Sequence, residues 1–327
     1  MSEKRTISCY LLFLGILLNV ACNAATPSAN HSVAYITNQG DDTVSAIDTA
    51  KNQVIKTIPV GKAPVGVAVS RKLQRIYISN VESQDISVID ATTNSVVDTI
   101  KIKGSPVGLA LSPDSKILYA ADWFDNRVLA ISTDAAHSVR EVKVGDAPAG
   151  LLVSSDNKWL YVANRDTNDI AVIDINTLTI KKRIPVGKHP FGISLSTDGK
   201  LLIAVNVKED SVSIVNLKSG KQQKIKVKFH PYCAAISADG KTLYVTNTQD
   251  DTISIIDMNS RKVKATIDVG STPEGLSIDE LNKHLYVANW GSDNVTVIDT
   301  NTNQLLSTIK AGEKSRAFGQ FILKTQN

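Results

Sequence analysis

Apolar and polar residues alternate along this chain in short blocks that recur at a fixed interval. The stretch 161–202, YVANRDTNDIAVIDINTLTIKKRIPVGKHPFGISLSTDGKLL, spans one full cycle. Residues 160–163 are apolar and rich in small and β-branched side chains, and a polar turn follows at 164–169. Residues 170–174 alternate Ile-Ala-Val-Ile-Asp, Asn176-Thr177 turns again, and 180–186 form a third block. After the loop 187–190 comes the block 191–196, and Thr197-Asp198-Gly199-Lys200 makes a hairpin turn into the next cycle. Blocks of this kind, bounded by Gly, Asn, Asp and Pro, predict four strands per cycle. No stretch carries the 3.6-residue period of a helix.

The cycle is counted by its tyrosines. Tyr35, Tyr77, Tyr119, Tyr161, Tyr244 and Tyr286 open successive copies, with Ile203 in the slot between, at steps of 42, 42, 42, 42, 41 and 42 residues. A Pro-x-Gly pair keeps phase at Pro64/Gly66, Pro106/Gly108, Pro148/Gly150, Pro190/Gly192 and Pro273/Gly275. The fifth copy departs from it, with Pro231 followed by Tyr232 and Cys233. A period of about 40–45 residues is the mark of propeller blades. The expected fold is therefore all-β: a seven-bladed β-propeller of four-stranded blades. The first copy lacks its inner strand, and 317–323, AFGQFIL, fills that slot at the other end. The C-terminal strand is thus expected to join the N-terminal blade, close the ring and remove a free edge.

Length alone, 327 residues, would suggest two domains, but a closed ring of repeats is one. Residues 1–24 read as a signal peptide: basic Lys4 and Arg5, an apolar run at 7–18 too short to anchor in a bilayer, then small residues ending at Ala24. A lipoprotein reading makes Cys22 the lipidated first residue, although Asn19 stands where such signals carry an apolar side chain. Either reading places the protein outside the cytoplasm, in the periplasm or at the cell surface. Residues 25–32 form a flexible lead-in, and the propeller occupies 33–327. Removing 1–24 takes Lys4 and Arg5 from 36 basic residues and Glu3 from 32 acidic ones, leaving a net charge of +3. That balance is too mild to indicate double-stranded DNA. Once Cys9 and Cys22 are lost or modified, Cys233 is the remaining thiol, so no internal disulfide is expected.

Tyr244-Val245-Thr246-Asn247 spells YVTN, and YVAN, YISN and YITN are its variants. With VSAIDT, ISVIDA and IAVIDI following, and then VG-x-x-P-x-G, the chain resembles the YVTN-repeat β-propellers of bacterial and archaeal cell envelopes over 34–323. That family includes surface-layer proteins, periplasmic propellers that bind single-stranded nucleic acid, and relatives of redox and lactone-hydrolysing propellers. The resemblance implies the fold and an envelope location rather than one activity.

Residues present in nearly every copy read as structural. Asn38, Asn80, Asn164, Asn206, Asn247 and Asn289 close the second strand, with Asp122 in the third copy, and Asp48, Asp90, Asp174, Asp257 and Asp299 close the third strand. Their side chains suit the turn N–H groups. Function is expected where the copies disagree. Around the ring, the residues before the repeated Pro are Ala63, Ser105, Ala147, His189, His230, Thr272 and Lys314, and those after it are Val65, Val107, Ala149, Phe191, Tyr232, Glu274 and Arg316. The loop after the second strand adds Trp123, with Phe124 beside it, Arg165 and Trp290. One side of the channel mouth is bland and the other carries the chemistry. The expected ligand site is Trp123, Arg165, His189, Phe191, His230, Tyr232, Glu274, Trp290, Lys314 and Arg316. Aromatic plates beside cations suit a ligand with flat rings and negative charge.

The partner is read as a small ligand, single-stranded nucleic acid or an envelope protein, bound by a monomer. A rival reading makes His189, His230 and Cys233 a zinc or copper site, since two imidazoles and a thiolate form a competent donor set. A third is a structural cell-surface repeat protein with no small-molecule site. The sequence has no Cys-x-x-Cys-His, no Gly-x-Ser-x-Gly and no Gly-rich phosphate loop, which leaves little basis for an enzyme.

Overall fold

The computed structural model describes residues 31–324. The signal peptide, Cys22 and most of the lead-in lie outside the described residues. Within them every regular element is a β-strand, and the strands form seven radial sheets. Each blade runs inner strand to outer strand by antiparallel neighbours, as in Pro190–Leu195, Leu201–Asn206, Ser211–Asn216 and Gln222–Lys226. Strand ends follow the polar turns: the block read as 160–163 forms Trp159–Asn164, because the backbone of Asn164 still pairs with that of Asp169. No helix among the described residues is long and apolar enough to cross a membrane.

Burial follows the radius. The second strand of every blade is almost wholly buried, whereas outer strands such as Gln53–Pro59 and Ser95–Lys101 keep only one residue covered. The core is therefore a set of inter-blade layers, each built from the facing sides of two sheets. The tyrosines cross these layers. The hydroxyl of Tyr35 donates to Asn94 of the next blade at 2.8 Å, and Tyr286 donates to the Thr49 carbonyl at 3.0 Å and to Asn52. Burial holds these phenols neutral by pushing their pKa up.

The repeated polar residues act as turn acceptors. Asp90 takes the N–H groups of Thr92 and Thr93, Asp174 those of Asn176 and Thr177, and Asp299 those of Asn301 and Thr302. Each asparagine ties its own blade together. Asn206 Nδ2 donates to Ser211 and Ser213, while its Oδ1 accepts from Gly187 N. Asn164 and Asn38 take Gly145 N and Gly312 N in the same way.

The Pro-x-Gly glycines mark where inner strands meet around the axis. A Cβ on Gly108 would sit 2.0 Å from the Ala149 carbonyl oxygen, and one on Gly66 would sit 2.2 Å from that of Val107. Backbone cannot yield cheaply, so Gly108→Val is expected to cost about 1–3 kcal/mol, read as a lower urea midpoint at unchanged slope.

The ring closes as its sequence implies. Ile322–Lys324 pairs antiparallel with Ser32–Asn38 and completes the first blade. The closing segment does one thing more: Phe318–Gly319 leans across and pairs in parallel with Gly66 and Val67 of the next inner strand. Gly319 makes the crossing possible at φ 116, a conformation that L side chains rarely adopt.

Candidate functional site

The loops before the inner strands turn through a left-handed residue immediately ahead of the repeated Pro, or of Ser315 in its slot. His189 (φ 52), His230 (φ 56), Thr272 (φ 52) and Lys314 (φ 55) all occupy this position. One residue after the Pro, the side chains converge on the axis. Phe191 and Tyr232 stack at 4.2 Å between ring centroids, and Phe318 closes on Phe191 at 4.9 Å. Trp123 reaches in from the third blade to 5.9 Å from Phe191. Contacts of this kind add about 0.5–1.5 kcal/mol each beyond the area they bury.

Beside the aromatics lies a charged pair. Arg316 Nε is 2.5 Å from Glu274 Oε2, a close ionic contact without hydrogen-bond alignment, and Arg316 Nη2 donates to the hydroxyl of Tyr232. Both are well covered, with side chains 18% and 12% exposed. Burial pushes the Glu274 carboxyl up, and Arg316 opposes that shift. Burial likewise pushes up the Tyr232 phenol and the Cys233 thiol.

The expected site residues thus separate into two groups. Phe191, Tyr232, Glu274 and Arg316 form a layer across the axis, so the open, lopsided mouth read from the sequence is stopped by its own chemistry. Trp123, Arg165, His189, His230, Trp290 and Lys314 remain at the rim. The two tryptophans are half-buried rather than free plates. Trp290 Nε1 donates to Gln39 Oε1 at 3.1 Å with Lys314 Nζ 5.4 Å above its ring, and the Arg165 guanidinium lies 5.7 Å from the Trp123 ring.

Burial is the first cause that lowers the pKa of both His189 and His230, and the positive charges of Arg165 and Lys208 lower both further. Thr248 Oγ1 donates to the His230 carbonyl at 2.8 Å. His230 Nδ1, 2.9 Å from the same oxygen, must therefore be the donor, which leaves Nε2 with its lone pair. His189 Nδ1 is buried without a partner. Among the described residues no group of three or more His, Cys, Asp or Glu side chains could hold a metal ion. His189, His230 and Cys233 are accordingly not brought together: Cys233 lies in the inner strand, its N–H bonded to Thr246 Oγ1.

The exposed aromatics of this face are others. Phe124 is 74% exposed and Phe229 61% exposed, on loops of the third and sixth blades, with Arg165, Lys188 and Lys208 on the two blades between. Phe229 owes its position to the break in the fifth repeat. Five copies have Gly at the slot where this one has Lys228, the second copy carrying its Gly104 one place later, and a Cβ at that slot would strike the neighbouring asparagine, as Gly187 shows at 2.4 Å from Asn206. Here Asn247 Oδ1 accepts from Ser254 instead, and the loop carries Phe229 outward. The missing glycine was the signal in the sequence. Gln39 holds the same repeat position as Trp123, Arg165 and Trp290, and Phe318 the position after the repeat-glycine slot, but neither residue type there pointed to the axial layer or its rim.

A family model described as YNCE-like beta-propeller matches residues 5–235, and one described as SMP-30/Gluconolactonase/LRE-like region matches residues 230–319. No curated protein matches the chain. Among solved structures it is similar to Kuenenia stuttgartiensis hydrazine synthase, at 23% identity and a TM-score of 0.75 over 81% of this chain and 92% of that one. It is also similar to a candidate 6-phosphogluconolactonase from Bacteroides uniformis, at 14% identity and TM-score 0.74 over 88% and 98%. The dihydro-heme d1 dehydrogenase NirN in complex with DHE follows at 15% identity and TM-score 0.68 over 88% and 74%. Likeness at these identities is likeness of fold.

Proposed function

We propose, from the premise that this chain belongs to the YNCE-like beta-propeller family, that it is a non-enzymatic binding propeller acting outside the cytoplasm. Its binding face is the Pro-loop face over the third to sixth blades, and its ligand is anionic with flat rings, single-stranded nucleic acid being the class that fits best. The observation that carries this reading is the spacing of Phe124 and Phe229 as outward aromatics on either side of Arg165, Lys188 and Lys208. Stacking platforms flanking cations hold unpaired bases and the backbone between them. The YVTN repeat and the basic, apolar, then small N-terminal segment support an envelope location. The axial layer supports a rigid mouth: its aromatic and ionic contacts fix the loops before a ligand arrives, so little ordering entropy is lost on binding.

The test is fluorescence anisotropy with a labelled single-stranded oligonucleotide. Phe124→Ala and Phe229→Ala are each expected to weaken binding about tenfold, since stacking contributes roughly 1–3 kcal/mol per base. Log affinity should fall with log salt at a slope near −0.7 per phosphate contacted, and Arg165→Ala should flatten it. Equal binding by the double phenylalanine variant, or none by the wild type, overturns the nucleic-acid reading. In the second case an envelope protein is the partner to seek at this face.

A further inference from the structure

The axis of the ring is stopped on the Pro-loop side only. Past the repeat glycines the inner strands enclose a cavity of about 280 Å³, with Gly108, Gly150 and Gly192 at one end and Leu111, Val153 and Ala235 towards the other, and Phe318 on its wall. A second lobe of about 380 Å³ shares Leu152, Val153, Ile193, Ser194, Ala235 and Gln320 with the first and runs out to the turn at Thr197 and Gly199. These turns join inner to second strands, so the chamber opens on the face opposite the Pro loops.

Its chemistry is specific. The inner strands are sheet edges, so their unpaired N–H and C=O groups line the passage, apart from the stretch that Phe318–Gly319 covers. Three residues beyond the repeat glycine stand Val69, Leu111, Val153, Leu195, Ile236 and Ile278, and in the seventh copy Gln320. All seven line the chamber. Gln320 alone breaks an aliphatic hoop, and its amide makes no hydrogen bond within the described residues. The deep lobe holds no charged side chain: Cys233 is its one titratable group, and burial keeps that thiol protonated.

We propose that this chamber binds a small uncharged ring bearing hydroxyl groups, a cyclic polyol or neutral sugar. Each alternative ligand class meets a physical obstacle. A charged ligand would leave water for a deep lobe with no charged side chain, and the one carboxylate of the outer lobe, Glu280, is already paired with Lys283, so the transfer is expensive. A wholly apolar one would leave the strand edges and the Gln320 amide unpaired. A polyol ring meets both demands, its hydroxyl rim on the edge groups and Gln320, its C–H face on Phe318, Leu109 and Leu151. The volume would otherwise hold roughly nine waters at about 30 Å³ each, so a ring displacing them is of the right size. The site is on the opposite face from the nucleic-acid reading and stands without it.

Saturation-transfer NMR on the full chain tests this, with myo-inositol as the uncharged probe and glucuronate as the charged one. Transfer to myo-inositol is expected, at least tenfold stronger than to glucuronate. It should be lost in Gln320→Leu, which completes the aliphatic hoop, and in Val153→Trp, which fills a half-buried place shared by both lobes. Circular dichroism melts establish that the variants fold, and if Val153→Trp does not, Gln320→Leu decides. No transfer to myo-inositol by the wild type means the chamber holds water only, and undiminished transfer in a folded variant places the probe elsewhere. Either result overturns the proposal.

Discussion

A chain ended at Lys310 is expected to lose its cooperative unfolding transition. Residues 311–324 supply the inner strand of the first blade and part of the axis. Arg316 N donates to the Thr37 carbonyl and Ala317 N to Thr37 Oγ1, both at 2.8 Å, and Tyr35 N donates to the Phe321 carbonyl at 2.8 Å. Phe321 is 0% exposed and Leu323 1%, packed into the same layer as Tyr35, Ile36 and Tyr286, while Phe318 is 4% exposed in the axial cluster. Burying a side chain of this size contributes about 1.5–3 kcal/mol, so the three together approach the roughly 5–15 kcal/mol that holds an ordinary domain folded. The truncation also bares the edge of Ser32–Asn38 and leaves the first and seventh blades without the strand that joins them. Urea denaturation followed by tryptophan fluorescence checks this. A sigmoidal transition with the wild-type slope would show that six and three-quarter blades are enough.

Arg316→Met is expected to destabilise the protein by about 3–5 kcal/mol, because it leaves Glu274 buried without its partner. Removing the carboxylate as well, in Arg316→Met/Glu274→Leu, should restore most of the loss, since an apolar replacement of a buried pair is often neutral or better. The pH dependence has a definite sign. Glu274 has a folded pKa raised above its ordinary value, first by burial. Its contribution is therefore fully present below the ordinary carboxylate range and is lost as pH rises through the raised value. Without Arg316 the raised value climbs further, so the variant should gain stability on acidification over a wider window than the wild type. Thermal melts from neutral to mildly acidic pH measure the slope. A flat profile in the single variant would mean that Glu274 finds another partner or reaches water.

The architecture was legible because its causes are local and repeated. Period-two blocks, the tyrosine count and the Asn and Asp turn acceptors each state the same blade in every copy, and the structure uses them as read. The closing strand was legible as the one piece missing from the first copy. What the repeat could not state is where single side chains point once seven strands converge. Phe191 and Tyr232 fit an outward mouth or an inward plug equally well by spacing. They turn inward because Phe318 and Trp123 complete an apolar layer with them. Glu274 and Arg316 looked like separate rim charges, and only the ring brings them to 2.5 Å. Phe124 and Phe229 lie on the same loops as the residues singled out, one position away from Trp123 and His230. There the loops were legible and the exposure of single side chains was not, because half-burial of an indole such as Trp290 is decided by neighbours such as Gln39 that are distant in the chain.

The seam of the ring also sets how the molecule would bear a load. Ser32 pairs with Lys324, Val33 with Leu323 and Ala34 with Ile322, so the two chain ends leave the first blade side by side. Pulling them apart strains that ladder one rung at a time, as a zip opens, and the first blade would peel before any other felt the force. Traction through one end alone has no such lever, because the opposing strand stays slack and the ring is dragged whole. A propeller held at its N-terminus can therefore be tethered firmly by a blade that is the weakest part of it when both ends are held.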